Sequence, residues 1–557
     1  MIEERLVGWL RVGLEAAAPG LGLGRDLPDP EVLEPKQRGH GDFATNVALA
    51  LAGRLGRPPR EVAQAIAEVL PPVPFVERVE VAGPGFLNIF VTDEWLHDAL
   101  RDVITSGEAY GRAESNGLRA QVEFVSGNPT GPLTLGTARN AAIGDALARL
   151  LVCAGWHVER EYYFNDAGGQ MDRFGASVEA RFLQLVGRES DVPEDGYHGA
   201  YVQDYAKDIL REHGRSLADL EPGERFVRLR EEGVRRALEG IRATLEAFRV
   251  RFDTWASQHA LEESGEIGHA IERLRRGGHI YEAEGALWFR STDFGDDKDR
   301  VVVRANGEPT YFAADCAYVI DKFERGFDHL VYVWGADHHG DVVRVRGAAE
   351  ALGFDRERVE ILIYQWVAFV RGGEPVPMSK RSGNFITLDE LIEEVGADAA
   401  RFHLLMFSAD HTMNFDIQSV KRQTMDNPVY YVQYGHARIS SILRKAGGEG
   451  IVLRPIDEVD LSLLVHDAET DLLRAMADMP AQLAEAASLR APHRLTHMAQ
   501  DLASRFHRFY TECRVVSDEQ ELTQARLVLC TGAKQVLANL LGLLGVSAPE
   551  EMDRVDA

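Results

Sequence analysis

The segment EFVSGNPTGPLTLGTARNAAIGD, residues 123–145, sets an acid, an amide, two prolines and four glycines just before a helix-like run. A turn at the carboxyl end of the first strand of a parallel sheet, feeding a helix, aims backbone N–H groups and the positive end of the helix dipole at one spot. That spot suits a phosphate. Taken alone, the same segment is also an ordinary strand-to-helix turn. A second segment, PMSKRSGN at residues 377–384, sets Lys380 among small residues on a loop after a strand. A lysine so placed can swing a compact positive charge onto a polyphosphate. Alone it reads as a surface loop; the two segments together point to nucleotide chemistry.

The elements that would position them follow from periodicity. RAQVEFV reads as a buried strand, SGNPTGPLTLGT as a loop, ARNAAIGDALARLLVCAG as a helix and HVEREYYF as the next strand. That is a βαβ unit, the start of a parallel nucleotide-binding sheet. A charge-rich helical stretch over about 172–285 is expected to interrupt the sheet. Strand-like runs resume at ALWFRST, RVVVRANGEPTYFAADCAYVI and HLVYVWGADHHGDVVRV. Residues 1–112 read as a small α/β unit, with PREVAQAIAEVL helical and VERVEVAGPGFLNIFV two strands around a turn. From 415 to 557 the pattern is helical. The expected fold is therefore α/β: a parallel, Rossmann-like catalytic domain over 113–414 with a helical insertion, a small α/β N-terminal domain and an all-α C-terminal bundle.

A chain of 557 residues is too long for one core. Its 45% hydrophobic and 27% charged residues are ordinary for a soluble globular protein. No apolar run is expected to match the length of a membrane span, and the first twenty residues read as an amphipathic helix. The four cysteines lack CxxC spacing, which argues for a reducing cytosol and against a zinc ribbon or disulfide framework. A net charge of −27 argues against nucleic acid when taken as a sum. Its distribution argues otherwise in two places. Between 421 and 445 five basic residues face one acid, and between 490 and 514 five face two, each stretch interleaved with aromatics. Solvated helix faces would look the same.

The two signature segments resemble the HIGH and KMSKS signatures of class I aminoacyl-tRNA synthetases. Their surroundings resemble arginyl-tRNA synthetases of the bacterial type: EFVSGNPTGPL, YYFNDAGGQMDRFG, VYVWGADHHG, MSKRSGNFITLDELIEEVGADAARF, DNPVYYVQYGHARISSILRKA and APHRLTHMAQDLASRFHRFY. PKQRGHGDFATNVALALA and VAGPGFLNIFV resemble that family's additional N-terminal domain. The likeness runs over nearly the whole chain. It implies an arginine–tRNA ligase that joins ATP and L-arginine into arginyl-adenylate and passes the arginyl group to tRNA(Arg).

The resemblance also implies roles. Glu123 and Asp315 would hold the guanidinium, Tyr311 would cap the pocket, and Asn128 and Gln170 would hold the amino-acid end, with Ser126 beside them. Pro129, Thr130, Gly131, Pro132, Leu133, Leu135 and Ala138 would line the ATP loop; Gly335, Asp337 and His338 would face the adenosine; Met378 and Ser379 would flank the mobile Lys380. Thr134, Gly136, Thr137 and Lys380 would be the catalytic set. Lys36, Arg38 and His40, with Tyr434, Arg438, Arg444, Arg494 and Arg505, would touch tRNA, the helical domain reading the anticodon. Mg²⁺ would arrive with ATP. No metal site on the protein is expected, because His338 and His339, read as neighbours on a strand, point to opposite faces. The resemblance also implies a monomer, adenylation that needs tRNA, and work in the cytoplasm away from membranes.

Three positions depart from the family pattern: both signature histidines are threonines, Thr134 and Thr137, and Pro377 replaces a lysine. A second reading follows, a catalytically impaired relative that binds arginine or tRNA without efficient adenylation. A third, a nucleotidyltransferase sharing the phosphate-binding turn, fits the long helical C-terminal part poorly.

Overall fold

Five segments form one parallel sheet: β1 (Arg119–Glu123), β2 (His157–Phe164), β3 (Thr254–Ser257), β4 (His329–Gly335) and β5 (Val359–Tyr364), the last two rich in Val, Ile, Tyr and Trp. The computed structural model describes residues 2–24, 27–33, 35, 40–376, 378–379 and 384–552. The strand order is β5-β4-β1-β2-β3, with Leu330 of β4 opposite Gln121 and Arg160 of β2 opposite Val122. The chain thus builds outward from β1 on one side, then returns to build β4 and β5 on the other. Such a reversal leaves a crevice beyond the carboxyl ends of β1 and β4, because the connecting helices depart in opposite directions.

The 19-residue helix α1 (Leu135–Cys153) crosses from β1 to β2. Its small residues let it lie close on the sheet; a Cβ on Gly144 would collide with the ring of Phe124. Helices α2 (Gly169–Leu185), α3 (Ala200–His213) and α4 (Pro222–Ala247) then pack on one another around Phe174, Phe182, Val202, Ile209 and Leu229. Helix α5 (Tyr311–Glu324) precedes β4, and α6 (Val342–Ala351) follows it. Together they pack a core of Phe312, Ala313, Cys316, Ala317, Ile320, Leu330 and Ala348.

The observed elements differ from expectation at four places. The span 172–285 does not simply interrupt the sheet, because it contains β3, paired in parallel with β2. Four residues, TWAS, are too few to display a two-residue alternation. YFAADCAYVI is not a strand but α5; its alanines, and buried residues at 312, 313, 316, 317 and 320, follow the helical period. Residues 336–341, with His338 and His339, form a 3₁₀ turn, not an extension of β4. The expected boundary at 414 falls inside a strand, Met413–Asp416, which pairs in parallel with Val367–Arg371.

The sheet and these helices belong to a compact unit of Arg112–Tyr434, Leu483–Gln500 and Leu540–Ala557. A second unit comprises Met1–Gly111, Gly435–Gln482 and Asp501–Asn539. Within it, Val76–Ala82 and Phe86–Val91 form the expected hairpin, with Phe43–Thr45 added on the far side of Phe86–Val91. Leu14, Leu51, Val62, Ile66 and Leu87 form its core. Tyr110 donates a 2.9 Å hydrogen bond to the carbonyl of Met476, and Asn539 a 3.0 Å bond to that of Gly107. The N-terminal segment and much of the C-terminal helical part therefore share one packed body. Contrary to expectation, one helix among the described residues, Gln520–Leu544, is long and apolar enough to cross a membrane. Its Leu527, Leu529, Val536, Leu537, Leu540 and Leu541 are buried, as in the core helix of a folded domain.

Candidate active site

A cleft of about 510 Å³ opens where the sheet order reverses. β1 and the turn after it supply Glu123, Val125 and Ser126; the start of α1 supplies Thr134, Gly136, Thr137 and Asn140. α5 adds Asp315, Tyr318 and Val319, and β4 with its 3₁₀ turn adds Trp334, Gly335, Asp337, His338 and Asp341. Tyr163, Tyr364 and Trp366 complete an aromatic rim.

The turn is strained. Val125 and Ser126 have φ of 64° and 46°, a left-handed conformation in which a β-branched Val is an outlier. Side chains lock it in place. Asn140 accepts from Val125 N at 2.6 Å and donates to the carbonyl of Val333 at 2.9 Å, tying the turn to β4. Tyr162 clamps Gly127 from both sides, accepting from its N at 3.0 Å and donating to its carbonyl at 2.7 Å. Gly131 lies against Tyr201, whose ring a Cβ would meet at 2.6 Å.

Thr134 is the N-cap of α1, yet its side chain accepts no backbone N–H there. Thr137 Oγ1 instead donates to the Thr134 carbonyl at 2.6 Å. The backbone on either side is stitched to residues just after the second signature: Leu388 N donates to Leu133 O at 2.9 Å and Leu135 N to Ile386 O at 3.2 Å. Pro129, Thr130, Gly131, Leu133, Leu135 and Ala138, expected around ATP, are buried in the protein, and Pro132 is half-buried. None of the seven lines the cleft. Apolar residues in a strand-to-helix turn serve the core first, so only the exposed side of that turn, Thr134, Gly136 and Thr137, is presented. Met378 and Ser379 pair with Phe385 and Asn384 in a two-stranded ladder, while Lys380 lies outside the described residues.

The other end of the cleft is acidic. Asp315 is open to the cleft, and among the described residues no side chain bonds to it. Burial of the surrounding pocket, then the carboxylates of Asp341 and Glu123, push its carboxyl up to about 7 against the pull of Arg344 and His338. Glu123 differs from expectation in having partners already: Lys322 Nζ at 2.5 Å on Oε2 and Ser126 Oγ at 3.2 Å on Oε1. Asp341 accepts from Arg344 at 2.5 Å and lies 3.2 Å from His338 Nδ1.

Three residues expected at the substrate lie outside the cleft lining. Asn128 donates to Gln170 at 2.7 Å, and Gln170 donates to Tyr197 at 3.0 Å, so both amides are spent on anchoring the start of α2. Tyr311 is 62% exposed and borders a neighbouring hollow with Gly168, Gln258 and Glu262. Residues not singled out from sequence are as important: Lys322, Asn140, Tyr163, Tyr318 and Trp366. An amide inside an Ala-rich helix was the one available signal, for Asn140.

Among the residues expected at tRNA, Lys36 and Arg38 lie outside the described residues and His40 is exposed. Arg438 stacks on Tyr510 at 4.6 Å, and Arg444 is exposed. Arg494 and Arg505 are already engaged by Glu485 at 2.6 Å and Asp501 at 2.8 Å. Tyr434 stacks on Tyr430 with ring centroids 6.0 Å apart.

A parallel sheet with a helix N-terminus and an acidic pocket at its order reversal is what the catalytic domain of a class I tRNA synthetase requires. Residues 99–427 match the family model described as "tRNA synthetases class I (R), catalytic domain". Residues 10–91 match "Arginyl tRNA synthetase N terminal domain", and 432–552 match "DALR anticodon binding domain". The chain is 48% identical to the arginine–tRNA ligase of Desulforamulus reducens over 555 residues, 99% of each chain. It is 48% identical to that of Moorella thermoacetica over 544 residues, 97% of each. The solved Thermus thermophilus arginyl-tRNA synthetase superposes with a TM-score of 0.74 at 25% identity, over 99% of this chain and 100% of that one. The chain belongs to the arginyl-tRNA synthetase family. None of these likenesses supports the impaired reading.

Proposed function

We propose that this chain, an arginine–tRNA ligase using ATP, arginine and tRNA, activates arginine in the cleft between β1, α1, α5 and β4. The observation that carries the site assignment is Asp315, a carboxylate open to the cleft to which no side chain among the described residues bonds. A guanidinium is planar, permanently charged and rich in donors, so it matches such a pocket better than any other side chain. Asp315 takes its charge and Glu123 shares its fork of N–H groups. The nucleotide lies across the cleft, with its phosphates toward Thr134, Gly136 and Thr137 at the α1 N-terminus and its base toward Gly335, Asp337, His338 and the aromatic rim.

The arginine carboxylate attacks the α-phosphorus, an adenylate forms and pyrophosphate leaves. Positioning and charge stabilisation by the helix terminus, the Thr134 hydroxyl and Lys380 lower the barrier. Mg²⁺ comes with ATP as part of the substrate. Residues ahead of 112, including Lys36, Arg38 and His40, and the helical C-terminal part, with Tyr434, Arg438 and Arg444, meet the tRNA. The enzyme works as a monomer in the cytoplasm, away from membranes, which suits its four buried, scattered cysteines.

Arginine-dependent ATP–pyrophosphate exchange, with tRNA present, tests the site in wild type and Asp315→Asn. The substitution should raise the KM for arginine at least a hundredfold, with the KM for ATP nearly unchanged, since a broken buried charge pair costs about 3–5 kcal/mol. An unchanged KM for arginine removes Asp315 from the pocket.

A further inference from the structure

One face of α5 carries a row of polar side chains behind the pocket: Asp315, Tyr318 and Lys322, continued by Arg325 just past the helix end. Their three- and four-residue steps put them on one side of the helix, toward β1 and β2. Lys322 is wholly buried. Its Nζ lies 2.5 Å from Glu123 Oε2 and rests over the rings of Tyr318 and Tyr332, 4.1 and 3.9 Å from their centroids. Tyr318 donates its hydroxyl to Glu161, a fully buried acid that also accepts from Arg325 at 2.6 Å. Charges therefore alternate along this buried path from Arg325 through Glu161 and Lys322 to Glu123, which opens on the cleft.

Stability alone does not call for such a path. A buried ion pair seldom outperforms an apolar pair of similar size, because desolvating both charges offsets their attraction. The pair's use lies where Glu123 meets the cleft. Without a cation behind it, Glu123 would face Asp315 and Asp341 across the cleft, and like charges so placed repel. Burial works against the charge on Lys322, but Glu123, Tyr332 and Glu161 outweigh it and hold the ammonium above its ordinary value.

We infer that Lys322 is a positioning residue for arginine recognition: it fixes the Glu123 carboxylate at the pocket wall and offsets its charge, leaving Asp315 as the carboxylate whose charge the guanidinium neutralises. This rests on the reading of Asp315 and Glu123 as the arginine pocket. The pocket then presents acceptor oxygens from two carboxylates but a net charge of one, matched to a singly charged, forked ligand. The groups facing Asp315 are Glu123, Asp341, Arg344, His338 and Tyr163. Those facing Lys322 are Glu123, Glu161, Tyr318 and Tyr332.

The test is the pH profile of kcat/KM for arginine, measured by pyrophosphate exchange with tRNA present, in wild type, Lys322→Met, Glu123→Gln and the double variant. Arginine binding to wild type displaces a proton from Asp315 alone at mildly acid pH. In Lys322→Met the Glu123 carboxylate loses its anchor, so kcat/KM for arginine falls about tenfold or more across the whole profile, through KM and not kcat. In the Glu123→Gln background the same Lys322→Met change should leave both the slope and the KM for arginine within twofold, because Lys322 acts only through Glu123. A Lys322→Met profile that coincides with wild type, or an equal loss in the Glu123→Gln background, overturns the inference and leaves Lys322 a packing residue. If Lys322→Met does not fold, the comparison of Glu123→Gln with the double variant decides alone. Failure of the underlying pocket reading looks different: Asp315→Asn and Glu123→Gln would then leave arginine dependence untouched.

Discussion

Thr137 Oγ1 donates its proton to the carbonyl oxygen of Thr134, 2.6 Å away and one turn back. That bond consumes the hydroxyl's one proton, so Thr137 Oγ1 cannot also donate to a phosphate. The Thr134 hydroxyl, in contrast, makes no cap bond and borders the cleft. Two threonines that look equivalent in the chain thus have different work.

The two should separate on mutation. Thr137→Val should cost about 1 kcal/mol of stability, the ordinary worth of one hydrogen bond, and change adenylation little. Thr134→Val should slow adenylation by about 10²-fold at saturating substrates, the scale of removing one transition-state donor. Rapid-quench adenylate formation and thermal melting of both variants check this. Equal rate losses would mean the Thr137 bond breaks when ATP binds.

Asp315 predicts a pH dependence with a definite sign. Its carboxyl is raised from 3.8 to about 7 in the fold, so the folded state holds a proton that the unfolded chain has already released. Stability from this group therefore falls as pH rises from the ordinary carboxylate range to about 7, and is flat above. Arginine needs the ionised form, so its affinity should rise with pH up to about 7 and then level off. Below that point it should weaken about tenfold per unit. Titration of arginine binding against pH checks both limbs. The dependence should vanish in Asp315→Asn.

Arg401 is wholly buried, donating to Asp145 at 2.5 Å and to the carbonyls of Leu544 and Phe248 at 2.9 Å each. Arg401→Met leaves the buried Asp145 without one of its cations and two carbonyls without a donor. A loss of about 3–5 kcal/mol is expected, read as a lower denaturant midpoint. Arg149 and Arg160 also face Asp145, so the lower end of that range is the expected outcome.

For tRNA, neutralising Arg438 and Arg444 together should weaken binding and flatten its salt dependence, by about one in slope for each phosphate that no longer meets a cation. Arg494 and Arg505, already held by Glu485 and Asp501, should matter less. Filter binding across a salt series separates the two pairs. An unchanged slope for the first pair would return those arginines to the solvated faces they first resembled.

Much of the fold is legible in the chain because long apolar patterns repeat: β1, α1 and β2 lie where their periods put them. β3 is not, since four residues carry no period, and α5 reads as a strand because its small and β-branched residues suit either state until its burial is seen. In the site, Glu123 and Asp315 are legible as acids in the right segments. Lys322 is not, since a lysine in a helical run ordinarily faces water and only the fold shows it enclosed by Tyr318 and Tyr332. Asn128 and Gln170 are legible as polar, but not that they satisfy each other.

With threonines at 134 and 137, the assignment of the adenylation site to this cleft is tested most directly by arginyl-adenylate formation. The measurement uses the unaltered protein with saturating ATP, arginine and tRNA. Arginine-dependent adenylate and pyrophosphate are expected, lost in Asp315→Asn at the same arginine concentration. An unaltered protein that binds arginine and tRNA yet forms no adenylate, while Thr134→His/Thr137→His does, would contradict the assignment.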